Sequence, residues 1–516
     1  MVSLQSEPEY PGKRLDVSVL ERAANLANIT LYRDGFTPSL DQKAEILTAI
    51  AELETLLHKA DQEISRTEAM EQDEVEGAKL EYAKNEPSHP ATDLPRLEAL
   101  KADISAQLAI SRALIAPIRL LPPELLSEIF ACLLAYPDTW HLEWMDTHCP
   151  SFVCVCAHWR RVALATPSLW TTIHIEPRWR VPHVPERIEA LLERSAGMPL
   201  DIELGVDWEG CAETFKFAAR ASGDRWRSLS LQDSPEDTFS LPHLQRLVVE
   251  CGTRYLDLRA LAGAPNLREL VVSTQHLFFK VPVWPALTDL TLDLALVHGT
   301  EHRNALYVIK QHRLTLERLL AFDEHSDDSD HGPLVKTLAE TCEVPNLRSA
   351  EVRGGTWAFL EAMITPKLES LTLHRCCVLE SDEDNPFKSL AEGTLLKSHS
   401  LLLLRICDIT MMPDGLKHLY AALDALPTLQ SLEVEEYENS YILHREFLRF
   451  LTLIPGKAPH LPNITSLSLM FCRGGWKRHD AVYHDLVGEL ARSRAVERTI
   501  GGVRVKKLEK VVTNLE

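Results

Sequence analysis

Few residues of this chain stand at spacings that could make or break bonds. His298-Gly-Thr-Glu-His302 offers two imidazoles that could grip zinc, but its glutamate is displaced from the metalloprotease spacing and Gly299 disfavours the helix needed. Surface histidines are the better reading. Asp323-Glu-His-Ser-Asp-Asp-Ser-Asp-His331 could gather a cation, yet no glycine is placed to turn the chain inside a calcium loop, so a solvated acidic loop is expected. Cys154-x-Cys156 and Cys376-Cys377 lack a second Cys or His pair at zinc-ligand spacing and read as core thiols. Gly354-Gly355, Gly474-Gly475 and Gly501-Gly502 lack the Lys-Ser/Thr of a phosphate loop and read as turns. Ser381-Asp-Glu-Asp384 suits an acidophilic kinase, but an unmodified loop is preferred. No acid, base and nucleophile can be grouped. The chain is read as a non-enzyme, with no catalytic residue, cofactor or metal assigned.

What it offers instead is apolar surface, concentrated in Pro117–Ile175. Pro122 and Pro123 suit the first turn of a helix, where a missing N–H has no intrahelical partner anyway. Glu124 follows where the helix dipole favours a carboxylate. Leu125, Leu126, Ile129, Phe130 and Leu133 then recur at helical spacing. A second helix carries Val155, Trp159 and Val162, and a short turn presents Leu169 and Trp170. Five large apolar groups on one helix exceed what so small a piece can hide, which predicts a partner-binding surface.

Three anchors in order, Leu121-Pro-Pro-Glu-Leu-Leu126, Val155-Cys-x-x-Trp-Arg160 and Pro167-x-Leu-Trp170, resemble the F-box, the module that docks on the Skp adaptor of cullin-based ubiquitin ligases. The likeness is to the large fungal F-box families, in which Pro-Ile-x-x-Leu-Pro-x-Glu opens the box. It departs from them in a longer insertion, Tyr136 to Pro150. The resemblance implies that Leu121, Pro122, Leu125, Leu126, Ile129 and Phe130 hold the adaptor, and through it a cullin, with Trp159, Leu169 and Trp170 shaping the surface. Trp159 also fits a place in the module's own core.

The flanking sequence sets the framework. At 516 residues and 45% hydrophobic content the chain should hold two or three domains. It has no run of about 18 apolar residues to span a membrane, and its first residues lack the pattern of a secretory signal. Its eleven scattered cysteines read as reduced thiols, so a cytoplasmic or nuclear protein is expected. A net charge of −21 argues against nucleic acid as a partner. Residues 1–38 read as disordered or loosely packed. Ser39 or Asp41 could cap a helix in which Ile46, Ile50, Leu53, Leu57, Ala60 and Ile64 form a heptad seam. Leu97, Leu100, Ile104, Leu108 and Ile115 mark a second helix running unbroken to Pro117. Residues 39–116 are thus read as a helical hairpin in a monomer, with self-association through the seam as the rival.

After the box, residues 117–175, the chain repeats itself. Trp226-x-x-Leu229-x-Leu231 is followed by Leu244-x-x-Leu247-x-Val249, Leu267-x-x-Leu270-x-Val272 and Leu287-x-x-Leu290-x-Leu292. The series continues from Leu316, Leu347, Leu368, Leu429 and Ile464, usually after a proline such as Pro242, Pro265, Pro345, Pro427 or Pro462. Each Leu-x-Leu reads as a strand with alternate residues on one core. Over residues 185–516 this resembles a leucine-rich-repeat solenoid in irregular form, since the Asn or Cys that usually follows the strand is inconsistent. A TIM barrel is the main rival architecture. The fold class read is α/β: a helical hairpin, a three-helix F-box and a curved parallel sheet with outer helices.

The function read is that of a substrate-recognition adaptor of an SCF-type ubiquitin ligase, binding a target protein through its repeats. The alternative is a repeat scaffold that binds the adaptor without ligase function. The residue between each Leu-x-Leu pair should face out on the concave sheet. That predicts an apolar target-binding patch at Val248 and Val271 and an acidic stretch at Glu351 and Glu433, unless Gly502 to Glu516 folds across either part.

Overall fold

The structure, a computed structural model, describes residues 15–80, 94–135, 150–175, 184–205, 208–251, 255–274, 278–294, 302–322, 341–376, 385–392, 400–409, 415–437, 442–472 and 480–515. The chain is mixed α/β and forms two compact units, divided between Trp170 and Thr171.

The first unit is helical. It contains α1 (Ser18–Leu26), α2 (Ile29–Arg33), α3 (Leu40–Leu80), α4 (Leu94–Leu114), α5 (Pro123–Ala135) and α6 (Ala157–Leu164), with 3-10 turns at Pro117–Leu120, Ser151–Cys154 and Pro167–Trp170. Ser39 opens α3 through a capping box. Its hydroxyl accepts from the Gln42 N–H at 3.3 Å, and the Gln42 side chain accepts from the Ser39 N–H at 2.9 Å. Lys101 pairs with Asp61 at 2.7 Å and Arg112 with Glu54 at 2.6 Å, so α4 runs antiparallel to α3. The seam residues Ile46, Ile50, Leu53 and Ala60 are buried within the unit, together with Ala49, Leu56, Ile104 and Leu108.

Two readings of this part are corrected. Residues 15–38 are not loosely packed, because Ala23 of α1 is fully buried among the residues of α3 and α4. The buried amide of Gln107 ties α4 to this addition by donating to the carbonyls of Ala23 and Ala27. The second helix also does not run unbroken to Pro117. It stops at Leu114, and Ala116 is extended (φ −58, ψ 133), as a residue before proline must be to avoid the ring.

The second unit is built on one sheet of thirteen described strands. They are Thr172–Ile175, Leu200–Leu204, Trp226–Leu231, Arg246–Cys251, Glu269–Thr274, Asp289–Asp293, Arg318–Phe322, Ser349–Arg353, Ser370–His374, Leu403–Cys407, Ser431–Glu435, Ser466–Met470 and Lys510–Thr513. They lie side by side in chain order, every neighbouring pair parallel. Among the described residues the two end strands are each paired on one side and not with each other, so these thirteen strands form no closed barrel. Leu229, Leu247, Leu270, Leu290, Leu319, Ala350, Leu371, Leu404, Leu432 and Leu467 align in register as one row facing the core. Helices such as Trp208–Ser222, Leu416–Asp424 and Arg445–Leu451 bury their apolar faces in that same core.

A proline turn sets up most repeats. The N–H groups of Leu244, Leu267, Leu287, Leu347, Leu368, Leu429 and Ile464 donate three residues back, closing turns whose second residue is Pro242, Pro265, Pro285, Pro345, Pro366, Pro427 or Pro462. Proline's fixed φ suits that position. The sheet departs from the sequence reading at both ends and in the middle. It starts at Thr172, so residues 171–175 belong to the sheet rather than to the helical module. Leu401-x-x-Leu404-x-Ile406 forms a further repeat outside the series read from the sequence, and Lys510–Thr513 adds an end strand instead of folding across the face.

One buried imidazole gives the sheet unit a pH dependence. His312 accepts from the Trp284 N–H through Nε2 at 3.2 Å, and its Nδ1 lies 3.0 Å from the Val308 carbonyl. Burial holds its pKa below the ordinary 6.5. Above 6.5 both folded and unfolded states are neutral there. Below it the unfolded chain takes up a proton that the folded ring resists, so stability falls with acidification. The urea midpoint of the wild type should therefore decline more steeply between neutral pH and pH 5 than that of His312→Gln. Equal slopes would assign the dependence to other groups.

Candidate partner-binding surfaces

Helix α5 is apolar on two sides, and the fold uses only one of them. Leu126 and Phe130 turn inward and are fully buried. Phe130 stacks on Phe152 at 4.3 Å between ring centroids and meets Trp159 at 5.2 Å. On the other side Leu125 is 51% and Ile129 37% exposed, with Leu133 and the half-buried Leu121 completing a stripe at four-residue spacing. These residues, with Glu128 and the exposed thiol of Cys132, line a shallow apolar groove of about 380 Å³.

The elements around α5 explain its orientation. The Pro122 carbonyl accepts the Leu126 N–H at 3.1 Å, so the Pro-Pro pair forms the first turn. Upstream, the Arg119 guanidinium donates to the carbonyls of Tyr32 and Phe36 at 3.2 and 3.1 Å and lies 4.9 Å from the centre of the Tyr32 ring. Arg119 thereby fastens the entry of α5 to α2. No sequence pattern signals this, because its partners are main-chain atoms some 80 residues away. Gly35 permits the close approach. Its φ is +77, and a Cβ there would lie 2.9 Å from the Cβ of His158 on α6. Downstream, the Cys156 thiol caps α6 by accepting from the Trp159 N–H, and the Trp170 indole donates to the Ala163 carbonyl at 2.8 Å.

The expected adaptor-binding set is thus split. Pro122, Leu125 and Ile129 are exposed, with Leu121 and Trp159 half-buried. Leu126, Phe130, Leu169 and Trp170 face the interior, since they fill the space between α5, α6 and the two 3-10 turns. The core-thiol reading is corrected for Cys154, which is exposed, while Cys156 and Cys376 are buried. The insertion after Tyr136, up to residue 149, lies outside the described residues, as do His298, the 323–331 acidic run, Cys377 and Ser381. Among the described residues no group of His, Cys, Asp and Glu could hold a metal, and no single helix is long and apolar enough to cross a membrane.

The second surface is the face of the sheet turned away from the core. Ser230, Val248, Val271, Thr291, Leu320, Glu351, Thr372, Arg405, Glu433 and Ser468 form one row across it, each in register with the next. Val248 and Val271 are direct neighbours, and Leu320, one strand past Thr291, extends the apolar part. Both glutamates of the expected acidic stretch stand beside arginines. Glu351 pairs with Arg353 at 2.8 Å, while Glu433 and Glu435 share Arg405 at 3.5 and 3.4 Å. Arg405 belongs to the further repeat from Leu401, so its cross-strand neighbours could not be foreseen. The Cys407 thiol beside them is pushed up to about 11 by burial and is a poor nucleophile.

A scan against models of protein families and a search of curated proteins give no match to this chain.

The two sides of α5 should respond differently to mutation. Phe130→Ala should cost the helical unit about 3–5 kcal/mol, the range for emptying a buried aromatic site. Leu125→Arg with Ile129→Arg should leave its thermal midpoint within a few degrees, because both residues already face solvent. Equal loss in the two variants would mean that the outward stripe is covered in solution.

Proposed function

We propose that this chain is the substrate-recognition subunit of an SCF-type ubiquitin ligase. In this reading the helical unit ends in an F-box that holds a Skp-type adaptor, and a cullin is reached through that adaptor. The sheet unit is an irregular leucine-rich-repeat solenoid that holds a target protein. The observation that carries the proposal is the outward stripe of Leu121, Leu125, Ile129 and Leu133 on a helix whose other side is already packed. A chain that kept those side chains in water without a partner would gain nothing from them. Such a subunit does no bond chemistry of its own. It raises the effective concentration of a target lysine near a conjugating enzyme. The free thiols of all described cysteines fit work in the cytoplasm or nucleus.

Covering an exposed aliphatic side chain contributes about 1.5–3 kcal/mol at full burial. Replacing Leu125 and Ile129 with arginine should therefore reduce adaptor capture by more than about a hundredfold, read by pull-down of the folded double variant. Unchanged capture sinks the reading. Capture of adaptor without any cullin in the complex would instead assign the chain to a repeat scaffold outside the ligase.

The target is placed on the open row of the sheet, at the Val248, Val271 and Leu320 end. Because Glu351 and Glu433 are already paired with arginines, Val248→Asp with Val271→Asp should lose captured target. Glu351→Lys with Glu433→Lys should change it little. Affinity capture with mass spectrometry compares the two, with adaptor binding as the folding control. Retention of every captured protein by the valine pair would move recognition to the loops or the helices.

A further inference from the structure

The chain carries a net charge of −21, yet from Arg492 to Lys510 seven residues are basic and only Glu497 and Glu509 are acidic. Here the helix Asp480–Ser493 leads into an antiparallel hairpin, Arg498–Ile500 with Val503–Val505, and then into the end strand Lys510–Thr513. Part of this charge is engaged. Arg504 pairs with Glu497, and Arg492 donates to the Gly488 carbonyl. Arg494 is buried and donates to the carbonyls of Leu451, Leu461 and His460, a cation held by dipoles alone among the described residues. Arg498, Lys506, Lys507 and Lys510 have no ion-pair partner among the described residues.

The same segment forms the last described strand of the sheet. Among the described residues Lys510–Thr513 pairs only with Ser466–Met470, and the Lys510 N–H donates inward to the Thr465 carbonyl at 3.1 Å. Main-chain groups of alternate residues point to opposite neighbours, so those of Val511 and Thr513 point out from the edge. Val511 lies in the core-facing row opposite Leu467, but it is 37% exposed, whereas the preceding ten residues of that row are at most 2% exposed. Val496 and Val503 are exposed nearby in sequence.

We propose that this edge accepts an extended acidic segment of a partner protein as an additional strand. Main-chain hydrogen bonds to Val511 and Thr513 would give register, and Lys507, Lys510 and Arg498 would select for negative charge. A second copy of this chain is disfavoured as occupant, since two such edges would bring like charges together. A membrane or a nucleic acid offers no strand to pair with the edge. The inference is independent of the adaptor reading.

The test uses the full chain and a labelled short peptide of alternating valine and threonine flanked by aspartate and glutamate. Saturable binding that weakens with salt is expected. Lys507→Glu with Lys510→Glu should weaken it by about tenfold or more. A proline at the centre of the probe, or Val511→Pro, should abolish it, because each removes an edge N–H while sparing the inward ladder. Thermal midpoints and adaptor capture are followed in every variant, so loss of folding or failure of the adaptor reading is seen separately. If Val511→Pro lowers the midpoint, the lysine pair and the proline probe decide. The proposal is overturned if the folded wild type does not bind the peptide, or binds the proline probe equally. Preference for phosphatidylserine vesicles or single-stranded DNA, or edge-dependent dimers in sedimentation, would overturn it too.

Discussion

A parallel strand that carries leucines on one face cannot cover them with its own residues; the strands and helices beside it must do so. That constraint organises the whole sheet unit. It demands that core-facing residues of successive repeats meet in register, and the row from Leu229 to Leu467 does so across ten strands. The proline turns hold each strand at the same height as the last. Asn266, Asn346 and Asn463 lock some of these turns together by donating to the carbonyls of Pro242, Leu314 and Pro427 in the preceding repeat. The same constraint creates a difficulty at the two outermost described strands, which have a neighbour on one side among the described residues. At Thr172–Ile175 the core-facing Ile173 and Ile175 are buried, and Cys211 of the helix Trp208–Ser222 reaches the Ile175 carbonyl. At Lys510–Thr513 the row closes on a partly exposed valine instead.

The helical unit poses the inverse case. Its core is complete without the outer side of α5, because Leu126 and Phe130 already fill the space against Phe152 and Trp159. Leu125, Ile129 and Leu133 on that helix, with Leu121 just before it, are left for something outside the unit. A helix surrounded by apolar residues normally sits in the middle of a larger core. Here, among the described residues, the elements around it are short 3-10 turns and a two-turn helix, too few to surround it.

Much of this was legible in the sequence, and the failures share a cause. The Leu-x-x-Leu-x-Leu spacing reports a strand wherever the flanking residues differ from leucine, and Pro at the turn sharpens the signal. The run Leu401-Leu402-Leu403-Leu404 blurs the phase, and His399 stands in the sequence where other repeats have the turn proline; Ser400, at the position of Asn266 and Asn463, bonds to the carbonyls of Pro366 and Leu368. That repeat was missed, and Arg405 with it. The last strand offers Val511 and Thr513 where leucines were sought. On α5 the apolar pattern was read correctly as a surplus, but periodicity alone cannot say which of two apolar sides faces in. Residues 15–38 are short helices interrupted by Gly35 and Pro38. Their order comes from contacts with α3 and α4, which no local pattern encodes.

Charge placement adds a last distinction between the surfaces. Arginines and carboxylates of neighbouring strands meet in pairs, Arg227 with Asp201, Arg246 with Glu269 and Arg405 with Glu433, and Arg348 meets Glu369 just before their strands begin. Exposed pairs of this kind contribute little to stability, about 0–1 kcal/mol each. Their effect is to cancel bare charge, so the face projects a weaker field than its composition suggests. A partner meeting that face would be chosen by fit to Val248, Val271 and Leu320 more than by attraction from a distance. The C-terminal edge is built the other way. Among the described residues its lysines have no ion-pair partner, and Arg494 holds a further positive charge inside the protein against backbone carbonyls. In a chain that is acidic overall, that edge is where an acidic segment would be drawn in, and the apolar row of the sheet is where a neutral one would settle.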